Sequence, residues 1–319
     1  MPQYSSYFRN NIRRERIADD TYDRQVTISV SDYGTISASD YQGNGDLFKR
    51  AYSDAINRIY DANVIVNISV PAGDYYFPGV ADVNRYHTLQ APQFGQILIT
   101  GASRVGTRPS AGTLASQTKS QNYTSLATYH PTRFHFNYNG FYINGSPNGG
   151  GGFYAASGFT NIGFFGSWNG SPGTLTNDSV MRRGLRGNFK LDYCSIFGFD
   201  GNTYESQGIL AEGGNISGYD ITICNCNRGL VASGNGSFVT DYSSTDIIAQ
   251  HKAEGLIAYG NSFIGLGDGV QIRTSQSVGS YGAYAYESSA IRIRNATVSG
   301  GAGNYAYPDG STIHTSTSY

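Results

Sequence analysis

Along this chain, apolar and polar positions alternate in short stretches separated by glycine-bearing corners. Val26, Ile28 and Val30 alternate with Thr27, Ser29 and Ser31, the period-two pattern of a half-buried strand. Val64, Val66, Ile68 and Val70 repeat it and stop at Pro71-Ala72-Gly73, after which Tyr75 and Phe77 begin another short strand. Between them the period changes. Leu47, Ala51, Ala55, Ile56 and Ile59 share one stripe, predicting a helix over 47–59 with Asp46 as its N-cap. Later strands are expected around Phe134, Phe136 and Tyr138, at Phe141 and Ile143, and at Ile162, Phe164 and Phe165. Residues 103–130 are rich in Ser, Thr, Gln and Gly and cannot build a core alone, so they predict a long excursion lying on the main body.

The strongest order lies between about 187 and 275. Gly208-Ile209-Leu210-Ala211, Gly229-Leu230-Val231-Ala232 and Gly255-Leu256-Ile257-Ala258 are one element three times, at spacings of 21 and 26 residues. Asp192-Tyr193-Cys194, Asp220-Ile221-Thr222 and Asp246-Ile247-Ile248 recur at 28 and 26. Two short elements repeating in step predict a solenoid whose coils each hold two or three strands, every strand pairing with its equivalent about 4.8 Å away. The fold class expected is all-β, a right-handed parallel β-helix with a short capping helix over its N-terminal edge, where unpaired backbone groups need cover. Leu210, Val231 and Ile257 should superpose, as should Ile209, Leu230 and Leu256. Neighbours in a strand cannot both face inward, so one of these columns lies near a corner or faces a partner. The expected organisation is an arm over 1–25, the β-helix over 26–275, and C-terminal strands or a cap over 276–319 that offers an oligomer contact.

Composition narrows the function. Lys plus Arg number 22 and Asp plus Glu 23, a net charge of -1, so no basic surplus exists for nucleic acid. No apolar run approaches 18 residues, so no membrane insertion is expected, and the opening residues lack the apolar core of a secretory signal. Charged residues are only 14%, while Gly reaches 42 and Tyr 26, leaving large neutral faces. Those faces predict self-association, most simply as a homotrimer. Cys194, Cys224 and Cys226 read as small apolar residues, and the five histidines form no metal cluster; His130 and His135 are expected at the surface. No phosphate loop, zinc-protease motif or nucleophile elbow occurs, and no cofactor or metal is expected.

Val30-Ser31-Asp32-Tyr33-Gly34, Gly43-Asn44-Gly45-Asp46, the Ala51/Ala55-Ile56 helix and Val70-Pro71-Ala72-Gly73-Asp74-Tyr75 together resemble the opening of pectate-lyase-like β-helix proteins. The match covers about 50 residues, and the helix start departs from it with Asp46-Leu47-Phe48. The Gly-Leu-Val-Ala and Gly-Leu-Ile-Ala coils are similar to the β-helices of bacteriophage tailspikes and tail fibres. That resemblance implies a homotrimeric virion protein of the tail or fibre that meets host surface polysaccharide, with or without cleaving it, and needs no cofactor. A secreted or cell-surface polysaccharide enzyme shares the fold, and the missing signal favours the phage setting.

Three readings follow: a host-glycan adhesin, a glycan hydrolase or lyase, and a structural virion component. Hydrolysis needs two carboxylates about 5 Å or about 6.5–9.5 Å apart. The repeat places Asp220 beside Asp246, with Asp192 extending the column; Asp241 and Asp268, near corners and outside the repeats, are further candidates. Recurrence in successive coils equally suits acids that hold corner backbone. Gln207, Arg228 and Glu254 form another column, in which Arg228 and Glu254 face each other as a surface ion pair or a polar clamp on sugar. Tyr259 and Trp168 offer rings for stacking on a pyranose. Arg13, Arg14 and Arg16 suit attachment to another virion protein.

Overall fold

The structure is a computed structural model and describes residues 24–59, 64–79, 86–92, 95–144, 157–176, 182–201, 206–240, 246–251, 253–274, 281–300 and 303–315. Among them, strands join in three parallel sheets of ten, eight and eight members, stacked one coil after another as a right-handed parallel β-helix. One coil shows the plan. Asn215–Tyr219 lies in the first sheet, Thr222–Cys224 in the second and Arg228–Ser233 in the third, and Ser237–Thr240 returns to the first. Alternate residues point into the lumen: Ile216, Ile223 and Leu230 are all buried in one continuous core.

Glycine at one position explains the repeat seen in the sequence. A Cβ on Gly184 would lie 2.0 Å from the Gly208 carbonyl oxygen of the next coil, and one on Gly229 2.5 Å from that of Gly255. Backbones approach too closely there for any side chain, so each coil keeps its glycine. The residues after it then fall into register, with Ile209 on Leu230 on Leu256 and Leu210 on Val231 on Ile257. The first column lines the lumen. The second faces outward as a small cluster of its own, joined by Tyr259 and Tyr286 and nearly closed to solvent.

The corner from the first sheet to the second is a single left-handed residue. Asn161, Tyr193, Asp220, Gly269 and Asn295 fill it with φ of 59°, 54°, 49°, 79° and 44°. The corner from third to first takes two such residues, as at Gly234-Asn235 and Gly260-Asn261.

Helix α1 runs over Tyr41–Arg58 and not 47–59. Asp40 caps it, accepting the Gly43 N–H at 2.8 Å, so Asp46 is an ordinary helical residue. Gly43 and Gly45 look like loop residues in the sequence. Gly45 is required inside the helix because its Cα faces the Tyr76 carbonyl, which a Cβ would meet at 2.3 Å. The adjacent Asn44 donates to the Asp74 and Ser37 carbonyls, satisfying backbone at the exposed sheet edge. Phe48 inserts below, its ring centroid 4.9 Å from Phe134 and 5.8 Å from Phe77. Val30 belongs to a short 3-10 turn, Val30–Tyr33, while still facing the core.

Residues 103–130 contain two helices, α2 over Ala111–Ser116 and α3 over Lys119–Tyr129. Their apolar residues Leu114, Tyr123 and Leu126 pack on Phe165, Phe197, Cys224 and Ala249, the outward column of the second sheet. His130 and His135 are not surface residues: both are 0% exposed. The excursion roofs the sheet face that carries them. His130 pairs with Ser195 at 2.8 Å, and His135 with Asp74 at 2.7 Å.

Candidate functional site

The outward face of the third sheet gathers aromatic and charged side chains in a strip parallel to the solenoid axis. Its geometry follows from the glycine column. The residue before each glycine and the residue two after it both point outward. From Gly140 to Gly282 the first of these positions holds Asn139, Arg183, Gln207, Arg228, Glu254 and Tyr281; the second holds Tyr142, Arg186, Leu210, Val231, Ile257 and Tyr284.

At the N-terminal end the Arg186 guanidinium lies 5.0 Å from the Tyr142 ring centre and 5.8 Å from Tyr86, while its Nη2 meets Glu212 at 2.7 Å. In the middle Arg228 Nε donates to Glu254 Oε2 at 3.0 Å, beside the aliphatic floor of Leu210, Val231 and Ile257. Gln207 is 5% exposed, and its side-chain oxygen has no hydrogen-bond partner. At the C-terminal end Tyr259 and Tyr286 stack at 5.1 Å with planes 9° apart, Tyr284 follows at 5.1 Å from Tyr286, and Tyr281 stacks on Tyr284 at 5.7 Å. Burial first, then the neighbouring Tyr259, raises the Tyr286 hydroxyl above its usual pKa, so it is a neutral donor at working pH. The strip therefore presents hydroxyls, aromatic edges and two arginine–glutamate pairs over an apolar floor, the mixture that a sugar with polar rims and apolar faces complements.

Of the residues singled out in the sequence, Arg228, Glu254 and Tyr259 fall together in this strip. Trp168 does not. It is 4% exposed under the excursion, stacked on Tyr76 at 5.3 Å and 4.4 Å from His135, so its ring face is already covered.

The aspartates do not form a column either. Strand register sets Ser195 on Thr222 on Ile247, which places Tyr193 level with Asp220, and Cys194 with Ile221 and Asp246. Each aspartate is thus displaced by one position from the last. Asp220 sits in the left-handed corner, 3.9 Å from Arg108. Asp246 is fully buried, accepting the Ile221 N–H at 3.1 Å and the Thr240 hydroxyl at 2.8 Å. Asp268 pairs with Arg294 at 3.2 Å at the surface of the first sheet. These three share no cleft, and Asp241 lies outside the described residues. Arg13, Arg14 and Arg16 lie outside them as well.

Sequence reasoning missed Tyr142, Arg183, Arg186, Tyr284 and Tyr286. A signal existed: Asn139-Gly140-Phe141-Tyr142, Arg183-Gly184-Leu185-Arg186 and Tyr281-Gly282-Ala283-Tyr284 continue the glycine–apolar pattern on both sides of the three recognised repeats. Among the described residues no cluster of histidine, cysteine and acids is suited to a metal ion. Compared with protein-family models, curated proteins and solved structures, the chain matches none.

Proposed function

We propose that this chain is a phage tail or tailspike-type protein that holds an extended host-surface polysaccharide along the third sheet. One observation carries the reading: the tyrosines and arginine–glutamate pairs line up parallel to the solenoid axis, coil after coil, as a linear polymer requires. The resemblance of the N-terminal segment and the repeated coils to pectate-lyase-like and tailspike β-helices supplies the phage setting. Binding is favoured over cleavage because Glu212 and Glu254 already face arginines, and Asp220, Asp246 and Asp268 stand apart from the strip.

Self-association as a homotrimer belongs to the same proposal. The covered Leu210, Val231 and Ile257 column offers no open apolar patch, so the first sheet is the better face. One outward column there reads Thr27, Asn67, Leu98, Gly158, Lys190, Ser217, Val239, Gly265, Arg292 and His314, mostly small and uncharged. The test is to incubate purified protein with host capsule or lipopolysaccharide, measuring retention, chain length and new unsaturated uronates. Retention without shorter chains supports an adhesin. Shortening moves the protein to the enzymes, and absence of binding to any host glycan overturns the proposal.

A further inference from the structure

A second concave site lies away from the strip, at the corner between the first and second sheets. The segment entering α2 crosses this corner and leaves an open groove of about 300 Å³ lined by Ser103, Arg104, Gly106, Tyr129 and Asn161. Arg104 is its centre. The guanidinium lies flat over the Tyr193 ring, 4.0 Å from the centroid, and Nη1 donates to the Tyr129 hydroxyl at 2.7 Å. Among the described residues no carboxylate pairs with it. The other arginine of the segment, Arg108, faces Asp220.

The platform under Arg104 is held at a cost. Tyr193 occupies the left-handed corner at φ 54°, a conformation that a bulky aromatic residue rarely adopts. Asn161 and Asn295 fill equivalent corners with the residue type that tolerates them. A tyrosine kept where asparagine fits better points to use of its ring. The groove also contains an acceptor: Asn161 Oδ1 is buried at its wall and has no hydrogen-bond partner.

From this geometry we infer that the groove binds one acidic saccharide unit, its oxyanion on the Arg104 fork and a hydroxyl donating to Asn161. A stacked guanidinium keeps its free edge planar and ready for two parallel hydrogen bonds to a carboxylate or phosphate. A bare inorganic anion satisfies Arg104 and leaves the acceptor unpaired. A neutral sugar does the reverse. Only a ligand carrying both groups meets both demands.

Calorimetric titration of the full chain with glucuronate, glucose 6-phosphate, glucose and inorganic phosphate tests this. Binding of either acidic sugar, about tenfold or more tighter than glucose and inorganic phosphate, is the expected result. The tighter of the two identifies carboxylate or phosphate as the natural group. Arg104→Gln should weaken that binding about ten- to hundredfold. Asn161→Asp, which suits the left-handed corner and sets a carboxylate against the ligand, should weaken it comparably and serves if Arg104→Gln fails to fold. Equal binding of glucose, no binding of either acidic sugar, or unchanged affinity in a folded variant overturns the inference.

Discussion

Arg228 Nε and Glu254 Oε2 meet at 3.0 Å although 26 residues separate them, because their glycines stack on adjacent coils. Their side chains are only 19% and 10% exposed, so the pair is worth more whole than broken. Arg228→Ala should cost about 1–3 kcal/mol in urea unfolding, since it leaves a mostly buried glutamate without its cation. Replacing both residues with methionine should recover most of that loss. A double variant no better than the single would show that the two are not coupled.

The acids should separate into structural and surface groups. Asp246→Ala removes the acceptor for both the Ile221 N–H and the Thr240 hydroxyl inside the solenoid. It is expected to destabilise by about 2–4 kcal/mol. Asp268→Ala breaks only an ion pair whose carboxylate is 41% exposed and should cost under about 1 kcal/mol. Denaturant midpoints of the two variants check this directly; a larger loss for Asp268→Ala would contradict the assignment.

The stacking of Ile209, Leu230 and Leu256 was legible because glycine, apolar and alanine positions recur at fixed offsets, and close backbone approach enforces them. The aspartates misled because the corner before them is one left-handed residue that aspartate, asparagine, glycine or even tyrosine fills; similar letters stood one place apart in register. The start of α1 was hidden by glycines that a helix normally avoids, present here for packing against Tyr76. Burial of Trp168, His130 and His135 depends on the roof formed by α2 and α3, whose contacts are long-range and leave no local periodicity. Half of the strip was readable, from the three strict repeats; the other half departs from Leu and Ala at the same positions.

Acid should unfold the protein through its buried histidines. Burial pushes His130 down to about 3 and His251 to about 4, against an ordinary value of 6.5. The unfolded chain therefore binds more protons below pH 6.5. Their contribution is fully present above that pH and is lost as pH falls towards the folded values. Each adds about 1.4 kcal/mol per pH unit to the slope between about pH 6 and 4. Asp74 acts lower. Burial opposes its charge, but hydrogen bonds from His135 and Arg133 prevail and hold it at about 2, so its share is lost between about pH 4 and 2. Urea midpoints measured from pH 7 to 4 should fall steadily, and His251→Gln should flatten the fall; a flat wild-type profile would contradict both assignments.

The helical excursion should loosen on its own. Lys119, at the start of α3, reaches Asp200 at 2.8 Å and the Ser167 hydroxyl at 3.1 Å, tying the roof to a buried carboxylate. Lys119→Ala should raise hydrogen exchange across 111–129 while protection of the strands is retained. Equal loosening of the solenoid would mean that the roof and the coils unfold as one.

The central claim, a linear glycan lying along the third sheet, is tested most directly by affinity against oligosaccharide length. That sheet has eight strands among the described residues, a span of about 34 Å at the usual strand spacing. The account predicts that affinity for fragments of the host polysaccharide climbs with each added sugar until the fragment covers that span, then levels off. Tyr286→Ala combined with Tyr284→Ala should remove the gain from the longest fragments and leave the short ones unchanged. Affinity that saturates at one or two sugars, or a length dependence indifferent to both tyrosines, would contradict it.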